Sequence, residues 1–167
     1  MTLAEALLLD YDIEIASTRR VLERIPEDNP QWKPHDKSMP MGRLAVHVAT
    51  LPNFAITILT TDGLNLGTAK FPALVFESRE KLLAALEGTS GTLREALEGA
   101  TDEHLNTHWQ LTWGDKVVKE GSRALLYRTM FLNHLVHHRG QLSVYLRLNE
   151  VAVPGLYGPS ADEQFVP

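Results

Sequence analysis

The feature that most constrains the fold is the stretch from Arg123 to about Leu148, which reads as one long helix capped by Ser122. On an ideal wheel at about 100° per residue, Leu126, Tyr127, Met130, Phe131, Leu135, Leu142, Val144, Tyr145 and Leu148 share one arc. Arg128, Thr129, Asn133, Arg139, Gly140 and Arg147 occupy the other. A helix that long with so wide an apolar arc needs other helices to cover it, and the chain supplies them.

The first runs from a capping box at Thr2-Leu-Ala-Glu5 to near Ile25, before Pro26, and buries Leu3, Leu7, Tyr11, Val21, Leu22 and Ile25. The second starts at a Ser38 cap, with Pro40 in its first turn, and reaches about Thr61, kinked but not ended by Pro52. Leu44, Leu51, Phe54, Ala55 and Ile58 form its apolar stripe. A third spans Glu77 to about Gly99 on Leu82, Leu83, Leu86, Leu93 and Leu97, weakened by Gly88 and Gly91. Between it and the last helix, Trp109–Val118 alternates with period two around Gly114-Asp115, the pattern of a short β-hairpin. The expected architecture is all-α: a four-helix bundle with a small β-hairpin before the last helix, formed by residues 1–167 as a single domain.

Composition narrows the function. With 21 acidic against 16 basic side chains and no basic block, nucleic acid is not an expected partner. The absence of cysteine excludes disulfides, thiolate zinc sites, iron–sulfur clusters and Cys nucleophiles. The opening residues place acids among their leucines with no basic region before them, and so do not read as a signal peptide. The apolar stretch Leu44–Leu59 is interrupted by His47, Pro52 and Asn53 and is shorter than a membrane span. No membrane association and a cytoplasmic location are the expectations.

Histidines carry the chemistry that remains. His134 and His138 lie i, i+4 near the centre of the last helix's apolar arc, one above the other, and His47 interrupts the stripe of the second helix. A single core histidine is ordinarily one hydrogen-bonded to a hydroxyl or carbonyl. Three together point elsewhere, because one divalent ion satisfies three ring nitrogens at once and leaves positions for water or substrate. His137 falls at the edge of the arc and is a local alternative ligand; His35, His104 and His108 lie in loops or near the hairpin and are expected to be solvated.

The sequence resembles the DinB-like (DinB/YfiT-like) family of small metal-binding four-helix bundles. The resemblance rests on Trp32-Lys-Pro34-His, Ser38-Met-Pro-Met-Gly-Arg-Leu-Ala-Val-His47, Asn133-His134-Leu-Val-His137-His138-Arg-Gly-Gln141-Leu and Leu156-Tyr-Gly-Pro-Ser-Ala-Asp-Glu163. It implies a down-down-up-up bundle in which His47, His134 and His138 hold one divalent ion, commonly zinc or nickel, and it implies a homodimer. Relatives of this kind include transferases and isomerases that use a low-molecular-weight thiol, and damage-inducible proteins of no assigned chemistry. The expected function is thus a metal-dependent enzyme on a small-molecule substrate, a hydrolase or a low-molecular-weight-thiol S-transferase. The competing class is a non-catalytic metal-binding or stress-induced interaction bundle.

Two further side chains are candidates around that site. Glu14 sits among Leu7, Tyr11, Val21 and Ile25 on the first helix, where it either accepts from a ligand imidazole, or acts as a base beside the metal, or is an edge carboxylate reaching an Arg or solvent. Gln141 shares the His134 face and is placed to orient water or substrate. Arg139, on the polar arc, is expected at the surface or as a partner of the tail, and the tail around Tyr157 is expected to pack back on the helices.

Overall fold

Helix α1 (Leu3–Leu22) begins where the capping box places it: the Thr2 hydroxyl accepts from the Glu5 N–H while the Glu5 carboxylate accepts from the Thr2 N–H. The structure is a computed structural model that describes residues 1–164. The α1 helix ends at Leu22, three residues short of the expected boundary, and the Arg24 and Ile25 N–H groups turn to the carbonyls of Val21 and Leu22. That tighter turn keeps Ile25 fully buried.

Helices α2 (Met41–Thr50) and α3 (Pro52–Thr60) form one kinked run, since Leu51 between them retains helical angles and Pro52 sits at the first position of α3. Ser38 does not cap it. The leading N–H groups of Met41 and Gly42 donate instead to the Trp32 and Pro30 carbonyls, so the Pro-rich loop itself caps the helix and Pro40 takes the cap position. Together Met41–Thr60 are long and apolar enough, by count, to cross a membrane, which corrects the expectation of too short a stretch; more than half of its most apolar part is buried inside the protein, as in a core helix.

Helix α4 (Arg79–Glu98) starts on the Ser78 cap and buries Leu82, Leu86, Leu93 and Leu97. It packs against α1, α2 and α3, while the last helix, α7 (Asn133–Leu148), lies against α1 and α2. After the short α5 (Asp102–Leu105), strands β2 (His108–Trp113) and β3 (Lys116–Ser122) pair antiparallel across Gly114-Asp115, with Gly114 at φ 57°, the left-handed conformation that such a turn needs. The hairpin has a third strand that the sequence did not announce. Strand β1 (Leu64–Asn65) pairs parallel with β2, Leu64 opposite Leu111, and two residues are too few to show a period. Trp109 and Leu111 are buried with Ile58 and Leu126, whereas Trp113, on the same alternation, is exposed.

The last helical run is interrupted in its interior. Helix α6 (Arg123–Tyr127), capped by Ser122, passes into a π-helical turn (Arg128–Leu132) before α7 (Asn133–Leu148). The fold is mostly helical with a small three-stranded sheet.

Candidate metal centre

His47 projects from the last turn of α2, and His134 and His138 from successive turns of α7. Their Nε2 atoms converge: 3.4 Å separates His47 from His134, and 2.8 Å separates His134 from His138. All three rings are half-buried, and the candidate ligand atoms lie within 4.8 Å of one another.

The outer nitrogens fix the tautomers. His138 Nδ1 donates to Gln141 Oε1 at 2.7 Å, and His134 Nδ1 donates to the Met130 carbonyl at 3.3 Å. Each proton is therefore on the far side of its ring, and both Nε2 lone pairs point into the same small space. Two lone pairs aimed at one another across 2.8 Å repel, and a cation shared by both would turn that repulsion into coordination. Ligands at about 2.0–2.1 Å from a tetrahedral ion stand about 3.3 Å apart, close to the His47–His134 spacing; the α7 pair is tighter. The donor set fits a divalent ion.

Burial, and then the neighbouring imidazoles His138 and His134 and the Arg43 guanidinium, push the His47 pKa down to about 4. Burial likewise lowers His134 and His138, opposed by the Met130 carbonyl in one and Gln141 in the other. All three rings are held neutral at pH 7, the form that ligates metal.

The remaining candidates fall elsewhere. Gln141 holds His138, as a residue that orients a ligand would. Glu14 has no imidazole among its partners: its carboxylate pairs with Arg139 at 2.6 Å and accepts from the Tyr157 hydroxyl at 2.7 Å. Arg139 is not at the surface but 1% exposed, tied to the tail through Tyr157. His137 is exposed beside His138 and outside the cluster. His35 and His108 are exposed as expected, but His104 is half-buried, with its Nε2 2.7 Å from the Leu59 carbonyl.

The π-turn explains the misplacement of Arg139. An extra residue in one turn shifts the helix phase by about 100°, so the arc read from Ser122 onward no longer applies after Leu132. Beyond it the buried residues are Leu135, Arg139, Leu142, Tyr145 and Leu146, while Val144 and Leu148 are exposed. The same shift sets His134 and His138 at the margin of the buried face, where a ligand can reach them. Along with Phe54, Leu64, Leu111 and Met130, His47 and His134 line a cavity of about 570 Å³, within the size range of small-molecule sites.

Comparisons with known proteins bear on the family and the fold. The sequence profile of the DinB family matches residues 7–164. The chain belongs to the DinB family. It is 23% identical over 157 residues to the uncharacterized protein YrdA of Bacillus subtilis (strain 168), covering 93% of this chain and 89% of YrdA. Its fold is shared with a DinB-like protein from Bacillus cereus ATCC 10987 at TM-score 0.68 and 22% identity, over 92% of this chain and 97% of that one. A second DinB-like structure, YjoA from Bacillus subtilis, superposes at TM-score 0.69 with 17% identity, over 96% of this chain and 99% of the other.

Proposed function

We propose that this DinB-family protein is an enzyme in which His47, His134 and His138 hold one divalent cation, zinc or nickel, and that it acts on a small molecule as a hydrolase or a low-molecular-weight-thiol S-transferase. The observation that carries this reading is that three Nε2 donors converge, no fourth His or carboxylate joins the cluster among the described residues, and His47 and His134 line the cavity. A closed structural site uses four protein ligands, whereas three ligands beside a cavity leave a position for a reactant.

A divalent ion at such a site supplies Lewis acidity, bringing the pKa of a water or thiol that it holds towards neutrality. The chain's own part is to keep the donors neutral and aimed. Gln141 fixes the His138 ring, the Met130 carbonyl of the π-turn fixes His134, and the mostly apolar cavity wall offers a surface for the apolar part of a substrate. With this function go a cytoplasmic location, a homodimer and a down-down-up-up bundle formed by α1, the α2–α3 run, α4 and the α6–α7 run.

The test is elemental analysis of untagged protein purified without added metal. About one equivalent is expected in the wild type, and its loss in both His47→Ala and His134→Ala. A metal-loaded wild type is then assayed on ester and amide panels and on thiol-transfer reactions. Failure to take up metal even after reconstitution with zinc or nickel would leave the non-catalytic bundle as the function.

A further inference from the structure

The cavity beside the histidines is chemically one-sided. The α2–α3 run lines it with His47, Thr50, Phe54 and Thr57, at i, i+3, i+7 and i+10 of one helical face. The two threonine hydroxyls are already engaged, Thr50 donating to the Val46 carbonyl and Thr57 to that of Asn53. The segment 69–74 contributes Lys70, Phe71 and Leu74 to the wall. Among the described residues no Asp or Glu lines the cavity and Lys70 has no ion-pair partner, although acids outnumber bases in the chain. A cation at the histidines would add to the same sign of field, so an anionic ligand is favoured there and a cationic one repelled.

The segment that brings Lys70 to the cavity is anchored at its two ends. Ala69 N–H donates to the Asn65 carbonyl, and Phe76 packs so tightly on α2 that a Cβ on Gly42 would lie 2.7 Å from the Phe76 Cβ. Between the anchors Phe71 lines the cavity yet remains 62% exposed, an apolar ring that a bound apolar body would cover.

We infer that the ligand of this cavity is a small amphiphilic carboxylate, its apolar body against Phe54, Phe71, Leu74 and Leu111 and its carboxylate on Lys70. Its reacting group faces His47 and His134; that last part rests on the proposed metal enzyme, while the binding itself does not.

Octanoate and octanol serve as a matched pair of probes, titrated calorimetrically into zinc-loaded wild type, into metal-stripped wild type, and into Lys70→Gln and Leu74→Asp. Octanoate is expected to bind both wild-type forms, to lose about tenfold in affinity in Lys70→Gln, and to lose more in Leu74→Asp, whose carboxylate repels it inside an apolar wall. Octanol is expected to bind wild type and Lys70→Gln within about twofold of one another, because it offers no charge to Lys70. Octanoate binding that disappears on metal stripping and is untouched by Lys70→Gln would place the carboxylate on the metal and overturn the inference. So would saturation by neither probe. A protein that takes up no metal but still shows the Lys70 dependence would sink the metal enzyme and leave this ligand class standing.

Discussion

Arg139 is a charged side chain in a place where charge is expensive. At 1% exposure its guanidinium pairs with the Glu14 carboxylate, donates to the Glu14 carbonyl at 2.9 Å and to the Thr18 hydroxyl at 3.2 Å, and bonds the Tyr157 hydroxyl. The Glu14 side chain is itself only 14% exposed, so the pair is desolvated on both sides. Breaking such a pair by removing one charge strands the other, at a cost of about 3–5 kcal/mol. Glu14→Gln is therefore expected to lower the free energy of unfolding by about 3 kcal/mol in urea titration while metal content stays unchanged. Metal loss with stability intact would instead restore Glu14 as the acceptor for a ligand imidazole. The edge-carboxylate alternative, reaching an Arg, was legible from the position of Glu14 on α1. Its partner was not, because an arginine on a wheel phased from Ser122 reads as surface.

At the scale of elements, the α6–α7 run shows what periodicity can and cannot convey. The Ser122 cap and the Pro52 kink were readable because each depends on one residue's local chemistry. The histidine set was readable because an i, i+4 pair stays on one face within α7 whatever happens upstream, and because His47 breaks an apolar stripe on another helix. The π-turn leaves no such mark: Met130 and Phe131 are apolar in either phase, and the shift shows only afterwards, in the burial of Arg139 and the exposure of Val144 and Leu148. Cavity residues from the segment 69–74 were equally silent, since an irregular segment has no period to read. Deleting Thr129 tests the role of the turn. Removing one residue lets the run close as α-helix, which rotates α7 by about 100° relative to α6 and carries His134 and His138 away from His47. The deletion variant is expected to keep its helical circular dichroism but to hold less than about half an equivalent of metal and to melt earlier. Retention of full metal content would mean that the π-turn does not set the site.

At the scale of the whole molecule, two separate sets of titrating groups divide the response to acid. The histidine cluster joins α2 to α7, and the tail is tied to α1, to the turn that follows it and to the last turn of α7 through Glu163 with Arg20 and Arg24, and Asp162 with Arg147 at 2.5 Å. In metal-free protein, His47 has a folded pKa near 4 against an ordinary value of 6.5, and His134 and His138 are shifted the same way. As pH falls below 6.5 the unfolded chain takes up protons that the folded histidines refuse, so stability declines from 6.5 towards about 4. The Arg147 guanidinium holds Asp162 low and that of Arg24 holds Glu163 low, so their contribution is complete above the ordinary carboxylate range and is lost only as pH falls through their depressed values. Urea midpoints measured from about pH 8 to about pH 3 should therefore be flat at first and then fall in two successive limbs. His47→Gln is expected to make the upper limb shallower and leave the lower one alone; Glu163→Gln should do the reverse. Bound metal should steepen the upper limb, since protons then compete with the ion for the same Nε2 atoms. If His47→Gln left the limb between 6.5 and 4 unchanged, the histidines would not be held neutral by the fold, and protons would compete for their lone pairs as they do in a free imidazole.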